Sequence, residues 1–229
     1  MAPWNDILFA MHIHRDHGMV DEFEQACDHH AERMKSIIQR GTYLQVFGWI
    51  QWVLRRKDCP AMFVVGIDQA LEQGRAAYRI VDGDTIMPIG SQAELETVQQ
   101  AFADLAATEF HGARQHLCRA AEELSTRKIP DSIRESIHAV ESVVRVLEPD
   151  GDFSKALARL ETKANIHGAL NRGFKSIYGF TCDENGIRHP LLDDPNAKVD
   201  ETDALFMIGA CAAFVSYLIN KARGAGLLG

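Results

Sequence analysis

Cysteine is scarce in this chain of 229 residues, and the five cysteines present form no recognisable framework. Their number is odd, they are widely spaced, and none belongs to a CxxC pair. This pattern excludes a disulfide scaffold and a paired-cysteine zinc motif. Reduced thiols of this kind are typical of the cytosol, so we predict a cytoplasmic protein. The five residues are Cys27, Cys59, Cys118, Cys182 and Cys211.

Signatures of several common protein classes are also missing. No GxGxxG, GxxxxGK[ST], HExxH or GxSxG pattern occurs, so dinucleotide, P-loop, zincin and serine-hydrolase functions have no motif behind them. We therefore predict no cofactor. The N-terminus lacks the basic flank and apolar run of a signal peptide. The longest apolar run, residues 204–219, is shorter than the ~20 residues of a membrane span, which predicts a buried core helix and no membrane contact.

An excess of positive charge is absent as well. The formal net charge is -8, and residues 1–98 and 99–229 are each net negative. This excludes a general polyanion binder, so any RNA contact has to be local. The contents of 46% hydrophobic and 24% charged residues are ordinary for a globular protein.

Potential metal ligands are concentrated near the N-terminus. Imidazole and thiolate are good zinc ligands, but the HxHxxH spacing there matches no strong structural-zinc pattern. On a helix, half of these histidines would face away from the others. We predict no metal site. The residues concerned are His12, His14, His17, Cys27, His29 and His30.

Hydrophobic periodicity predicts a mainly α-helical bundle with a small β-hairpin appendage. Residues 1–40 favour two amphipathic helices broken near Gly18. The β-prone runs 77–80 and 85–89 flank an Asp82-Gly83 turn, which is preferred in tight hairpins. Ser91 followed by Glu94 predicts a capping box. The expected domains are an N-terminal helical region (1–76), the hairpin (77–90) and a helical bundle (91–229).

One predicted helix, near residues 131–147, has two distinct faces. Its apolar face carries Ile133, Ile137, Val140, Val144 and Leu147. Charged residues Arg134, His138, Glu141 and Arg145 form a second face at helical spacing. A solvated surface is the simplest interpretation of this second face.

Positively charged residues are concentrated in residues 172–190. We interpret this segment as a glycine-punctuated loop between two apolar helices. Arg172, Lys175, Arg188 and His189 lie in it, close in sequence to Asp183 and Glu184. Gly179 and Gly186 favour backbone turns, and Asp-Glu-Asn-Gly is turn chemistry. Two interpretations are open: a solvated loop with a local ion pair, or a functional site.

Three segments bear on that choice: IPDSIRESIHAVESV (129–143), FKSIYGFTCDENGIRHP (174–190) and ALFMIGACAAFVSYLI (204–219). Together they resemble the C-terminal half of the AbiJ-type N-terminal domain of bacterial abortive-infection proteins. That half is similar to HEPN domains. A weaker match extends upstream to about Leu71, and the first seventy residues match poorly.

This resemblance implies a helical, dimeric HEPN-like protein of antiviral defence. Many HEPN domains are toxins that act as metal-independent endoribonucleases, using an Arg and a His at the dimer interface. Here it implies catalytic Arg188 and His189, adjacent in sequence, which leaves a non-catalytic sensor or interaction domain as the alternative. The supporting residues would be Glu135, Glu141, Tyr178, Asp183 and Glu184.

Overall fold

The protein is described by a computed structural model that covers residues 2–24, 27–183, 187 and 198–228. Over these residues the backbone is mainly helical with one two-stranded hairpin, which confirms the predicted fold class. The chain divides into two compact units, Met1–Ile86 and Met87–Gly229. The three-part division into 1–76, 77–90 and 91–229 stays a prediction.

The first unit is built from helices and most of the hairpin. Helix α1 continues directly into a π-helical turn, Met11–Arg15, and a short 3-10 turn follows at Val20–Glu22. The chain therefore breaks near Gly18, as predicted. The regular elements are α1 (Ala2–Ala10), α2 (Cys27–Arg40), α3 (Tyr43–Leu54), α4 (Ala61–Gln73), β1 (Tyr78–Val81) and β2 (Thr85–Pro88).

The core of this unit forms around α3. Trp49 and Val53 are buried together with Ile7 and Met11 from the N-terminal helix. The indole Nε1 of Trp49 donates to Sδ of Met11 at 3.3 Å, so the polar atom of this large side chain has a partner in the core. Burial of these side chains holds α1 against α3.

The hairpin is fastened to α3 by polar contacts. Asp82 and Gly83 have positive φ angles of 54° and 78°, the backbone geometry that a tight Asp-Gly turn requires. The amide of Ile86 donates to Oε1 of Gln51 at 2.7 Å, and Nη2 of Arg55 donates to Oγ1 of Thr85 at 3.1 Å. The hairpin therefore packs on α3.

The second unit is a helical bundle centred on α7. Helix α7 packs against α6 and α10, and α10 also packs against α5. The apolar face predicted for α7 is buried, with Ile133, Ile137 and Val140 fully inaccessible. Its helices are α5 (Gln92–Ala106), α6 (His111–Ser125), α7 (Ile129–Leu147), α8 (Phe153–Lys163), α9 (Gly168–Asp183) and α10 (Glu201–Gly224).

Side-chain caps start α5, α8 and α10; at α8, Asp152 accepts from the amide of Lys155. Ser91 accepts from the amide of Glu94, as predicted, but the Glu94 carboxylate accepts from the amide of Gly90 at 2.7 Å. The capping box predicted there is therefore only half formed, because the glutamate reaches one residue further back. Asp200 and Asp203 form a complete box at the start of α10.

Helix α10 is the longest helix in the described part of the chain. By length and composition Glu201–Gly224 could cross a membrane, but 44% of its most apolar window is buried inside the protein. The core helix of a protein can have the same length and composition, so these two properties are weak evidence for a membrane span. Cys211, Val215 and Ile219 are fully buried in the bundle.

The structure corrects the first part of the loop predicted at residues 172–190. Residues 168–183 are helical, so Arg172, Lys175 and Gly179 lie within α9 and not in a loop. Gly179 serves no turn because it lies inside α9, and a Cβ there would contact nothing within 4 Å. Burial of Phe174 and Thr181 on one face of α9 outweighs the turn propensity of the glycine.

Candidate functional site

Helices α6 and α7 run antiparallel at a close approach. A Cβ added to Gly112 on α6 would lie 2.8 Å from Oγ of Ser142 on α7. Further along, the buried hydroxyl of Ser132 donates to the carbonyl of Ala120 at 2.8 Å. Small residues at both points allow the two backbones to come together. The register that results brings His116, midway along α6, beside the polar face of α7.

Three chemically active side chains meet along this helix pair. Nδ1 of His116 lies 2.8 Å from Oε2 of Glu135, and Nδ1 of His138 lies 4.0 Å from Oε1 of the same carboxylate. The two imidazole rings have centroids 5.3 Å apart and planes inclined by 67°. Glu135 therefore stands between two imidazoles. We call His116, Glu135 and His138 the imidazole cluster.

Glu141 extends the imidazole cluster by one helical turn. Its Oε2 lies 3.8 Å from Nε2 of His138, so both ring nitrogens of this histidine face a carboxylate. The side chains of His116 and His138 are each 29% exposed, and those of Glu135 and Glu141 are 14% and 20% exposed. The cluster is therefore half-buried and accessible to solvent and small solutes.

Arg134 marks the N-terminal end of the same face. One guanidinium nitrogen, Nη2, donates to the carboxylate of Asp131 at 2.5 Å, and Nη1 donates to the carbonyl of Ile187 at 3.4 Å. The second hydrogen bond is long, but Ile187 is itself buried at 1% exposure. Residue 187 is thus held next to the first turns of α7.

Tyr178, a predicted supporting residue, lies in an aromatic stack on α9. Its ring is stacked on Phe153 with centroids 4.4 Å apart. Phe153 in turn lines a small pocket with Glu141 and Arg145 of α7. The tyrosine is therefore linked through Phe153 to the C-terminal part of the charged face.

The other predicted site residues lie outside the described part of the chain. These are the catalytic pair Arg188 and His189, and the supporting residue Glu184. Asp183 is the last residue of α9, and its side chain also lies outside the described part. Of the predicted residues, the structure locates Glu135, Glu141 and Tyr178.

Two of the N-terminal histidines have backbone partners. Nε2 of His12 lies 2.7 Å from the carbonyl of Met19, and Nε2 of His30 lies 2.6 Å from the carbonyl of Glu24. A carbonyl only accepts, so both nitrogens donate. These rings therefore stabilise the local backbone.

His116 is the site residue that sequence reasoning missed. It lies on a different helix from Glu135 and His138, and no local pattern connects it to them. The one available signal was the Glu135-x-x-His138 spacing, which places a carboxylate and an imidazole three residues apart on one face of a helix.

An open apolar groove of about 400 Å³ lies elsewhere in the second unit, between α9 and α10. Phe174 and Phe214 stack at its centre with ring centroids 3.8 Å apart. Leu170 at its edge is 55% exposed. The small residues Ala210 and Ala213 of α10 line the same groove.

No protein family, curated protein or solved structure matches this chain.

Proposed function

We propose that this chain is an endoribonuclease of a bacterial antiviral defence system, cleaving RNA through Arg188 and His189 without a metal ion. The observation that carries the proposal is the contact between Arg134 and the carbonyl of Ile187. Arg188 and His189 follow Ile187 directly in the sequence, so the proposed pair comes immediately after a residue that contacts α7. The charged face of α7 supplies the carboxylates that such a site needs.

The chemistry requires an acid–base group and a cation. The 2′-hydroxyl of RNA attacks the adjacent phosphorus while an imidazole accepts its proton. The bond from phosphorus to the 5′ oxygen breaks, and the imidazolium returns its proton to that oxygen as it leaves. An Arg guanidinium stabilises the charge that develops on the phosphoryl oxygens. His189 and Arg188 take these roles, and the products are a 2′,3′-cyclic phosphate and a free 5′-hydroxyl.

The supporting residues that the structure describes would position the catalytic pair and would not take part in bond making or breaking. Glu135 is engaged with His116, whereas Glu141 lies one turn further along α7 beside His138. Both are half-buried carboxylates that can orient a cationic neighbour. Tyr178 stacks on Phe153, which lines a small pocket with Glu141 and Arg145 of this face.

Electrostatics limits how this protein would hold RNA. With a net charge of -8, no general attraction to the phosphate backbone is expected. Binding would depend on a few local cations, such as Arg134, Arg145 and Arg188. We therefore expect weak binding to duplex RNA and recognition of a short single-stranded segment.

The test is RNA cleavage in excess EDTA by the full-length protein. We expect products that end in a 2′,3′-cyclic phosphate, and a loss of at least about 100-fold in rate for His189→Ala and Arg188→Ala. His111→Ala is the matched control, because His111 is an exposed histidine at the start of α6 and its loss leaves the rate unchanged. Cleavage that survives in His189→Ala, or no cleavage by the wild type, would contradict the proposal.

The second candidate is a non-catalytic sensor or protein-interaction domain of a defence system. The groove between α9 and α10 favours it, because exposed apolar surface on a soluble protein marks contact sites. Under this alternative the wild type leaves RNA intact and copurifies with a stoichiometric partner from infected cells. Melting temperature tests the role of His189 itself: lost cleavage with an unchanged melting temperature in His189→Ala would support catalysis, whereas a large decrease would indicate that this residue stabilises the fold.

A further inference from the structure

We infer that the imidazole cluster, His116, Glu135 and His138, binds one divalent transition-metal ion. One ligand atom from each side chain lies within 4.8 Å of the other two. Among the residues that the structure describes, these three form the group of His, Cys, Asp and Glu side chains close enough to share an ion. This inference does not depend on the proposed RNA cleavage.

The donor set selects the class of ion. Two imidazoles and one carboxylate are a common ligand set of zinc sites that keep a fourth position open. Imidazole nitrogens also suit copper, iron and nickel, whereas calcium and magnesium prefer oxygen ligands. We therefore expect Zn²⁺ to bind and Mg²⁺ to bind weakly or not at all.

The spacing between the donors is close to what zinc requires. With bonds of about 2.0–2.1 Å in a tetrahedron, neighbouring ligand atoms are about 3.3 Å apart. Nδ1 of His116 lies 2.8 Å from Oε2 of Glu135, and Nδ1 of His138 lies 4.0 Å from Oε1; with one donor atom from each residue, all three lie within 4.8 Å of one another. Small rotations of side chains would bring all three donors onto one ion.

The two helices hold the donors in place. Glu135 and His138 are three residues apart on α7, so their relative position is fixed by the helix itself. His116 is fixed from α6 by the close contacts of Gly112 with Ser142 and of Ser132 with Ala120. Rigid elements on both sides favour a preorganised site, and its partial exposure leaves a path for the ion.

Glu141 would act in the second coordination shell. Nδ1 of His138 faces Glu135, and Nε2 of the same ring faces Oε2 of Glu141 at 3.8 Å. A metal-bound histidine usually donates its other ring N–H to a carboxylate, which fixes the tautomer and the ring orientation. His138 therefore binds the ion through Nδ1 and donates through Nε2 to Glu141.

The test is a Zn²⁺ titration of the full-length protein after removal of metal with a chelator. Calorimetry should report one high-affinity Zn²⁺ per chain, and Co²⁺ in its place should give the visible absorption of a tetrahedral N,O site. His116→Ala, Glu135→Gln and His138→Ala should each abolish the Co²⁺ spectrum. Glu141→Gln should retain the spectrum and weaken Zn²⁺ binding by about 10–100-fold.

The controls separate this site from the N-terminal histidines. His111→Ala should bind Zn²⁺ like the wild type, and so should the double variant His14→Ala/His17→Ala. Wild-type affinity in Glu135→Gln, a substitution that preserves side-chain shape, would overturn the inference; so would a folded wild type without saturable binding at micromolar Zn²⁺. Circular dichroism confirms that each variant is folded. Because the titration contains no RNA, its outcome is separate from that of the cleavage assay in EDTA.

Discussion

Asp104 on α5 accepts a hydrogen bond of 2.7 Å from the hydroxyl of Ser216 on α10. The same carboxylate accepts from Asn220 at 3.2 Å and from Arg223 at 3.4 Å. Asp104 is only 6% exposed, so its charge is satisfied in a nearly water-free position by three donors of one helix. This carboxylate joins α5 to α10.

Replacing Asp104 by Ala should lower the free energy of unfolding by about 1–3 kcal/mol, because the hydrogen bonds from α10 to this buried, charged carboxylate are lost. Urea denaturation measures the change. Glu109→Ala is the control: Glu109 is an exposed acidic residue just after α5, and its loss should change the stability by no more than about 0.5 kcal/mol. Equal effects of the two substitutions would show that the Asp104 hydrogen bonds contribute nothing.

Glu148 should make the stability of the bundle depend on pH in acid. Its carboxylate, just after α7, accepts from Lys163 at 2.5 Å and from Arg159 at 2.9 Å on α8. Hydrogen bonds from Lys163 and then Arg159 lower the pKa of the Glu148 carboxyl. The folded state therefore favours the deprotonated form. This stabilisation is fully present above the unfolded pKa of about 4.3 and is lost as the pH falls through the lower folded pKa.

Melting temperatures of the wild type and Glu148→Gln between neutral and acidic pH check this prediction. The wild type should be more stable near neutral pH, and the difference should shrink below about pH 4. Glu109→Gln serves as the exposed control and should follow the wild type throughout. A wild-type advantage that does not change with pH would show that Glu148 acts through packing and not through its charge.

Cys211 should be inert to thiol reagents in the folded protein. It is fully buried in α10, and burial raises the pKa of its thiol, so the reactive thiolate is suppressed. Brief alkylation followed by peptide mass spectrometry should label Cys118, which is partly exposed, and leave Cys211 unmodified. Both should react in denaturant. Equal labelling in the native state would place α10 outside the core.

The family resemblance predicts a two-fold dimer. Light scattering should then report twice the chain mass of 25.5 kDa at micromolar concentration. If the groove between α9 and α10 is the contact surface with the second copy, Leu170→Glu should yield monomers. Met62→Glu alters a side chain that is 78% exposed on α4 and should leave the dimer intact. A monomeric wild type would count against the dimer.

Much of the fold follows from local sequence signals. Ser91, Asp200 and the Asp82-Gly83 turn each act within a few residues, so their effects can be predicted without knowledge of the tertiary structure. The loop prediction was wrong at α9 because it also relied on local signals. Gly179 has turn propensity, but tertiary burial of neighbours such as Phe174 decides the conformation, and this burial is not visible in a short window of sequence.

The candidate site is less predictable because it depends on the register of two helices. Glu135 and His138 can be assigned to one helix face from their spacing. His116 joins them only because Gly112 and Ser142 allow α6 to approach α7 closely at one particular offset. No periodicity within either helix specifies that offset. The spatial relationship therefore required the structure.

The contact of Arg134 with Ile187 uses a main-chain carbonyl, which every amino acid possesses. The attachment is therefore indifferent to side-chain identity at position 187, apart from the need for an apolar residue that can be buried. During evolution, position 187 can therefore exchange one apolar residue for another while the main-chain contact with Arg134 persists.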